Sequence, residues 1–155
     1  MHILGINGAW GIGKTSIINI VEKELKDQNY SFKHFNPWHW SGANPETLVK
    51  ALKDTMTDGN DVNEYVVEYF DKIIEIYEKE TIYTKIFSIF RKQDTFEDIK
   101  NKIKVNIKKK YIIIVDDLDR CTADELSCVF NLLREFLNWP NILVVLCYDK
   151  TRIQA

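Results

Sequence analysis

The fold is decided by one octapeptide near the amino terminus, Gly8-Ala9-Trp10-Gly11-Ile12-Gly13-Lys14-Thr15. It matches without a gap the pattern G-x-x-x-x-G-K-[ST], in which a loop wraps a phosphate with inward-pointing backbone N–H groups. Side chains at the tight positions would block that approach, which accounts for Gly8, Gly11 and Gly13. The octapeptide therefore predicts a phosphate-binding loop.

The last residues of the loop carry its polar groups. Lys14 would reach the β- and γ-phosphates of a nucleoside triphosphate, and the Thr15 hydroxyl would coordinate magnesium. The helix that begins here also directs its N-terminal dipole at the phosphate charge. The candidate binding residues are thus 8–15 together with Ser16, and Lys14 is a candidate catalytic residue as well.

The surrounding pattern is that of an α/β protein with a parallel sheet. Ile3–Asn7 is a short apolar run suited to a buried strand, and residues 15–26 carry a helical stripe. Three further strands are predicted at 31–35, 111–115 and 142–147, the second of them covered on both faces. The stripe of the first helix is Ile17, Ile18, Val21 and Leu25.

A second helix is predicted between the last two strands. Thr122 is its expected N-cap, and Glu125 three residues later completes a capping box. Its apolar stripe is Leu126, Val129, Phe130, Leu133, Phe136 and Leu137. Trp139, Pro140 and Asn141 end it.

Residues 42–110 show no convincing strand and are predicted to be a helical insertion within a single domain spanning 1–155. There are ten acidic and four basic residues from Glu46 to Glu80, but nine basic and three acidic from Lys85 to Lys110. The favoured interpretation is a set of solvated helices that attract each other. The alternative is a docking surface for a protein, nucleic acid or an acidic membrane face, carried by Lys100, Lys102, Lys104 and Lys108 to Lys110.

The run 112–119 ends a buried strand in acidic residues. Asp116 would lie at the carboxyl end of the strand and hold the magnesium shell, which makes Thr15 and Asp116 the candidate metal residues. Asp117 is the candidate catalytic carboxylate that orients or deprotonates the attacking water. Asp119 fits a helix-capping turn.

For several other polar and aromatic residues, the sequence allows two different roles. Arg120 could stabilise phosphate charge or pair with Asp117 or Asp119. Asp149 could sense the γ-phosphate or form a turn. Trp10 could shield the phosphates or pack on a neighbour, and the aromatic cluster 36–40 is expected to pack in the core, with base stacking as the lesser alternative.

Composition limits the remaining classes. A net charge of −2 gives no general attraction to nucleic acid or membrane. The three cysteines lack metal-site spacing and favour a reducing, cytoplasmic location with two thiols in the core. The sequence shows no transmembrane run and no signal peptide.

These motifs together resemble the KAP P-loop NTPases. The resemblance rests on G-x-W-G-x-G-K-[ST] at 8–15, Asn36-Pro37-Trp38 after the second strand, Asp116 to Arg120, and Tyr148-Asp149. It implies a three-layer fold whose sheet has the order 5-1-4-3-2, here 1-4-3-2 with the fifth strand and the C-terminal lid region missing. The first strand would then be an open edge.

The resemblance also implies ATP as the nucleotide, and the absence of an N-K-x-D motif agrees with it. Members act at the inner face of membranes or in phage exclusion, so a peripheral membrane location is a secondary expectation. The predicted function is magnesium-dependent ATP hydrolysis by a regulatory or defence-type switch, with a protein partner or self-association through the insertion. Nucleic acid is a less favoured partner. The alternatives are a nucleotide-binding module with little turnover and, last, a small-molecule phosphotransferase.

Overall fold

The computed structural model describes residues 2–59, 63–79, 93–136 and 139–153. The chain divides into two compact units, residues 1–42 with 108–155, and residues 43–107. Residues 80–92 of the expected insertion lie outside the described residues, as do Leu137 and the side chain of Phe136 from the expected stripe.

The first unit is built on a parallel sheet. Within the described residues its strands are β1 (His2–Asn7), β2 (Tyr30–Phe35), β3 (Lys110–Val115) and β4 (Ile142–Tyr148). All neighbouring strands pair in parallel, in the order β1-β4-β3-β2. The predicted α/β fold and strand order are confirmed.

Helices accompany the strands along the chain. Those of the described residues are α1 (Lys14–Leu25), α2 (Pro45–Thr57), α3 (Glu64–Lys79), α4 (Gln93–Asn106), α5 (Ala123–Phe136) and α6 (Lys150–Ile153). Short 3₁₀ helices follow β2 at Pro37–Trp40 and β3 at Leu118–Arg120. None of the helices described is long and apolar enough to cross a membrane.

The core of the first unit lies on the two inner strands. Every residue of β3 from Tyr111 to Val115 is buried, as the β-branched run predicts. One cluster on the α1 side of the sheet joins Ile18, Ile112, Ile114, Val145 and Cys147.

The prediction that the first strand is buried is wrong. Ile3 is 48% exposed and Leu4 is 52% exposed. β1 pairs with β4 and is the outermost strand on that side of the sheet formed by the described residues. The stripe of α1 is also only partly covered, because Ile18 is buried while Ile17 and Val21 face solvent.

The N-terminus of α5 has the predicted capping box. The Thr122 backbone N–H donates to Glu125 Oε2 at 2.7 Å, and the Glu125 N–H donates to Thr122 Oγ1 at 3.3 Å. Two orphan backbone donors of the first turn are thereby satisfied.

The buried face of α5 differs in part from the predicted stripe. Val129 and Leu133 are buried as expected, but Phe130 is 44% exposed. Cys128 and Leu132, which the stripe omitted, are buried in its place. The face of α5 that packs into the core is therefore rotated about the helix axis relative to the predicted apolar stripe.

The second unit is helical in its described residues, with α2 packed on α3 and α3 on α4. Tyr69 of α3 meets Phe96 of α4 at a ring-centroid distance of 5.4 Å, and Lys53 Nζ lies 2.5 Å from Asp71 Oδ1 between α2 and α3. Of the described basic residues of α4, Lys100 is buried, whereas Lys102 is exposed and its ammonium lies over the Tyr65 ring.

Candidate functional site

The glycine-rich loop connects the end of β1 to the start of α1. The Gly8 N–H donates to Tyr148 O at 3.1 Å, which ties the loop to the end of β4. Within the loop the Ile12 N–H donates to Ala9 O at 3.3 Å, and the Ile17 N–H donates to Gly13 O at 3.0 Å where α1 begins. The loop therefore stands above the carboxyl ends of β1 and β4.

Three glycines of the loop are favoured, two by their backbone conformation and one by a close contact. Gly13, the N-cap of α1, has φ 99°, a left-handed conformation that residues with a Cβ rarely adopt. A Cβ at Gly8 would lie 2.8 Å from Ile12 Cγ2. Gly11 has φ 80° but nothing within 4 Å of a Cβ, so its backbone conformation, not crowding, selects glycine there.

The Lys14 side chain folds back over the loop. Its Nζ donates to Gly8 O at 2.5 Å and to Ala9 O at 3.2 Å. The ammonium thus lies beside the concave backbone that the octapeptide predicts for phosphate binding. A phosphate oxygen is a stronger acceptor for an ammonium than a backbone carbonyl, because the bond is between opposite charges.

The loop and the end of β3 meet through Thr15 and Asp116. Thr15 Oγ1 donates to Asp116 Oδ2 across 3.4 Å, which is longer than an ordinary O–H···O hydrogen bond. The Asp116 N–H donates to Phe35 O at 3.1 Å, which fixes the end of β3 against β2. The structure therefore brings the two predicted metal residues side by side.

Asp117 is held from three directions. Its backbone has φ 55°, uncommon for a residue other than glycine, and its N–H donates to Asp116 Oδ1 at 2.9 Å. Asn36 Nδ2 donates to Asp117 Oδ2 at 2.7 Å, and Arg120 Nε lies 3.4 Å from Asp117 Oδ1. Both carboxylate oxygens of the candidate catalytic residue therefore already have a protein partner.

The Arg120 guanidinium lies against two indoles. It stands 4.5 Å from the Trp38 ring centroid and 5.9 Å from that of Trp10. Of the roles considered for Arg120, the structure shows the ion pair with Asp117. The Trp10 ring lies near Arg120 but is 69% exposed.

The aromatic cluster after β2 is not the core element that the sequence indicated. Trp38 is 40% exposed and Trp40 is 43% exposed, whereas Pro37 is buried. Proline at the first helical position and Asn36 as the N-cap start a 3₁₀ helix that carries the indoles outward.

Asp149 and Asp119 have structural contacts. Asp149 Oδ1 accepts hydrogen bonds from the Thr151 hydroxyl at 2.6 Å and from its N–H at 3.0 Å, and these bonds lower the pKa of Asp149. Asp119 Oδ1 accepts from the Asp149 N–H at 3.2 Å, and Arg152 lies 3.8 Å from Asp119 Oδ2. The geometry favours the turn-forming interpretation of Asp149.

Two asparagines contribute contacts that the sequence analysis missed. Asn7 Oδ1 accepts from the Lys150 N–H at 3.0 Å and joins the end of β1 to the turn after β4. Asn36 belongs to the Asn36-Pro37-Trp38 motif, but the motif alone predicts no role for its side chain. The order of the strands predicts this contact. Parallel neighbouring strands end at the same edge of a sheet, so an asparagine after β2 and an aspartate after β3 are expected to lie close together there.

The thiols are buried to different degrees. Cys128 and Cys147 are fully buried, as expected for two of the three. Burial, with the Asp116 charge acting in the same direction and Lys14 opposing it, raises the pKa of Cys147 to about 11. A neutral thiol at the tip of β4 is not an activated nucleophile.

Comparison with known proteins decides the family. The model of the KAP family P-loop domain matches residues 2–155. The chain belongs to the KAP family. As a P-loop NTPase domain it is a nucleotide-binding domain in general terms.

A curated relative of this KAP domain is the phage T7 exclusion protein of Escherichia coli (strain K12). It is 26% identical over 191 residues, which cover 96% of this chain. The chain spans 26% of the relative's length.

Proposed function

We propose that this KAP domain binds ATP with magnesium and hydrolyses it, as the core of a regulatory or defence-type switch. One observation carries the proposal. Thr15 Oγ1 of the glycine loop lies 3.4 Å from Asp116 Oδ2 at the end of β3, and the Lys14 ammonium is folded over the same loop.

The residues present fit a magnesium ion. Magnesium takes hard oxygen ligands, and a hydroxyl next to a carboxylate is such a pair. The two oxygens lie 3.4 Å apart, close enough for one ion to contact both. Thr15 and Asp116 would hold the ion, which supplies positive charge to the phosphate oxygens.

The chain's own residues supply positioning and proton transfer. The backbone N–H groups of residues 9–11 and of Gly13, with the Lys14 ammonium, would bind the phosphates and offset the charge that spreads over the transferred group. Asp117 would orient a water molecule and take its proton while the water oxygen bonds to the γ-phosphorus and the bond to the leaving oxygen of ADP breaks. The products are ADP and inorganic phosphate.

A nucleotide-binding module with little turnover is the second candidate function. The favouring observation is that Asn36 and Arg120 engage both oxygens of Asp117. Because both oxygens contact protein groups, the carboxylate has fewer lone pairs left for a water molecule. In this case signalling would depend on ATP occupancy rather than on turnover.

The defence-type role rests on the likeness to the phage T7 exclusion protein. The second unit is the surface proposed to contact a protein partner or a second copy. The opposite charges of its helices, among them the Lys53–Asp71 and Lys50–Glu46 pairs, are the chemistry proposed for that contact.

The test uses Trp10, which lies inside the loop and reports on its occupation by fluorescence. Addition of ATP with magnesium should change the tryptophan emission of the wild-type chain in a saturable way. The wild-type chain should also release phosphate faster than the Lys14→Ala variant. Trp10→Phe is the control that assigns the signal to this indole. Equal affinity in wild type and Lys14→Ala would refute binding through the loop, and equal phosphate release would refute hydrolysis.

A further inference from the structure

The end of β2 reaches the candidate site through Asn36. β2 and β3 pair in parallel with Phe35 opposite Val115, and the Asp116 N–H donates to Phe35 O at 3.1 Å. The residues that follow each strand therefore emerge next to one another. Asn36 and Asp117, 81 positions apart in the chain, meet at this edge.

The two polar atoms of the Asn36 side chain have separate contacts. Its Oδ1 accepts a hydrogen bond from the Trp38 backbone N–H at 3.1 Å, which caps the 3₁₀ helix. Its Nδ2 donates to Asp117 Oδ2 at 2.7 Å. The orientation of the amide is determined, because a backbone N–H requires the oxygen on one side and a carboxylate requires the nitrogen on the other.

The contact fixes the orientation of the Asp117 carboxylate. Asn36 holds Oδ2, and the Arg120 guanidinium, itself packed against Trp38, holds Oδ1. Each carboxylate oxygen keeps a second lone pair, so the group can still accept a hydrogen bond from water. Rotation of the side chain would break both contacts.

We propose that Asn36 is a positioning residue for hydrolysis, which acts by holding the Asp117 carboxylate towards the attacking water. The inference rests on the proposed function, because it assigns Asn36 a role through Asp117. A proton acceptor must lie within hydrogen-bond reach of the water, and small misplacements of such groups lower the rate strongly.

Two substitutions separate the cap from the positioning contact. Asn36→Ser keeps a good N-cap oxygen for Trp38 but is too short to reach Asp117. Asn36→Asp also keeps the cap and turns the donor into a carboxylate that faces Asp117. Both should lower kcat on the order of tenfold to a hundredfold while the dissociation constant for ATP with magnesium changes by less than about threefold.

A swap of the two partners supplies a readout without turnover. In the double variant Asn36→Asp with Asp117→Asn, an amide donor and a carboxylate acceptor face each other again in reversed positions. Its thermal unfolding midpoint should recover most of what Asn36→Asp alone loses. Phosphate release should stay lost, because no carboxylate remains at position 117.

Different results would contradict the positioning role, the contact and the proposed hydrolysis. Unchanged kcat in Asn36→Ser, or equal losses of affinity and kcat, would overturn the positioning role, and a swap that fails to recover the midpoint would overturn the contact itself. Failure of the proposed hydrolysis is recognised separately, in wild type that binds ATP but releases no more phosphate than Lys14→Ala; that result removes the role of Asn36 along with it.

Discussion

Thr15 and Asp116 lie 101 positions apart in the chain, and their side-chain oxygens lie 3.4 Å apart in the fold. Two separate strand ends produce this proximity: α1 begins after the loop from β1, and Asp116 directly follows β3. Because β4 pairs with both strands, the order β1-β4-β3 sets the distance between the two oxygens.

The first prediction concerns magnesium. Asp116→Asn removes the charge next to Thr15 and should weaken ATP binding in the presence of magnesium about tenfold to a hundredfold, as loss of a supporting carboxylate does in metal sites. In EDTA, wild type and variant should bind ATP alike. Thr15→Ser, which keeps the hydroxyl, is the matched control, and a loss that is equal with and without magnesium would contradict the assignment.

The second prediction concerns crowding in the loop. Gly8→Ala places a Cβ 2.8 Å from Ile12 Cγ2, so the Ile12 side chain or the loop must shift, and nucleotide affinity should fall about tenfold, the effect of roughly 1.4 kcal/mol. Adding Ile12→Ala removes the contacted atom and should restore most of the affinity. Adding Ile12→Val, which keeps a Cγ2, should restore little. Equal rescue by both would mean that this contact is not the cause.

The third prediction concerns Glu125 and pH. The pKa of Glu125 is held below its ordinary 4.5 by hydrogen bonds that its carboxylate accepts. The largest contribution is from the Gly42 N–H, and Thr122 and Ser41 contribute as well. A carboxyl of this kind stabilises the fold above its unfolded pKa, and the contribution disappears as pH falls through the lower folded value.

Glu125→Gln keeps one acceptor oxygen but no charge. The difference in unfolding free energy between wild type and Glu125→Gln should be largest near neutral pH and should shrink below about pH 4.5. Urea titrations at the two ends of this range measure it. Thr122→Ala, which removes the cap hydroxyl, should cost about 1 kcal/mol at neutral pH. A wild-type to Glu125→Gln difference that does not change with pH would show that the charge of Glu125 is irrelevant.

Local chemistry explains what could be predicted from the sequence. The loop from Gly8 to Thr15 and the capping box from Thr122 to Glu125 are contiguous patterns whose contacts lie within a few residues. The burial of β3 could be predicted as well, because a continuous run of five apolar residues is typical of a strand that is covered on both faces. The strand order came from the family resemblance.

The rest depended on tertiary placement. Phe130 and Ile3 are apolar residues on elements of the expected type, but periodicity does not say which neighbour covers a face, and both are exposed. The contact between Asn36 and Asp117 spans 81 positions and depends on β2 pairing with β3. The interaction of Arg120 with Trp38 likewise follows from two turns at the same sheet edge.

The fourth prediction concerns Arg120. If its role is to pair with Asp117 and pack on Trp38, Arg120→Ala should leave ATP affinity within about threefold of wild type. A double-mutant cycle of Arg120→Ala with Trp38→Ala should give a coupling of about 0.5–1 kcal/mol in unfolding free energy. A tenfold loss of affinity would instead assign the guanidinium to phosphate.

The fifth prediction decides between hydrolysis and binding alone. Asp117→Asn keeps the shape of the side chain but removes the proton acceptor, so phosphate release should fall about a hundredfold or more while ATP affinity is retained. Asp119→Asn, a change of the same chemistry at a residue bonded to the Asp149 N–H, is the matched control and should keep its turnover. Equal phosphate release by wild type and Asp117→Asn would remove Asp117 from the mechanism. If both release no more than Lys14→Ala, the chain acts through ATP occupancy, in line with the contacts that Asn36 and Arg120 make with Asp117.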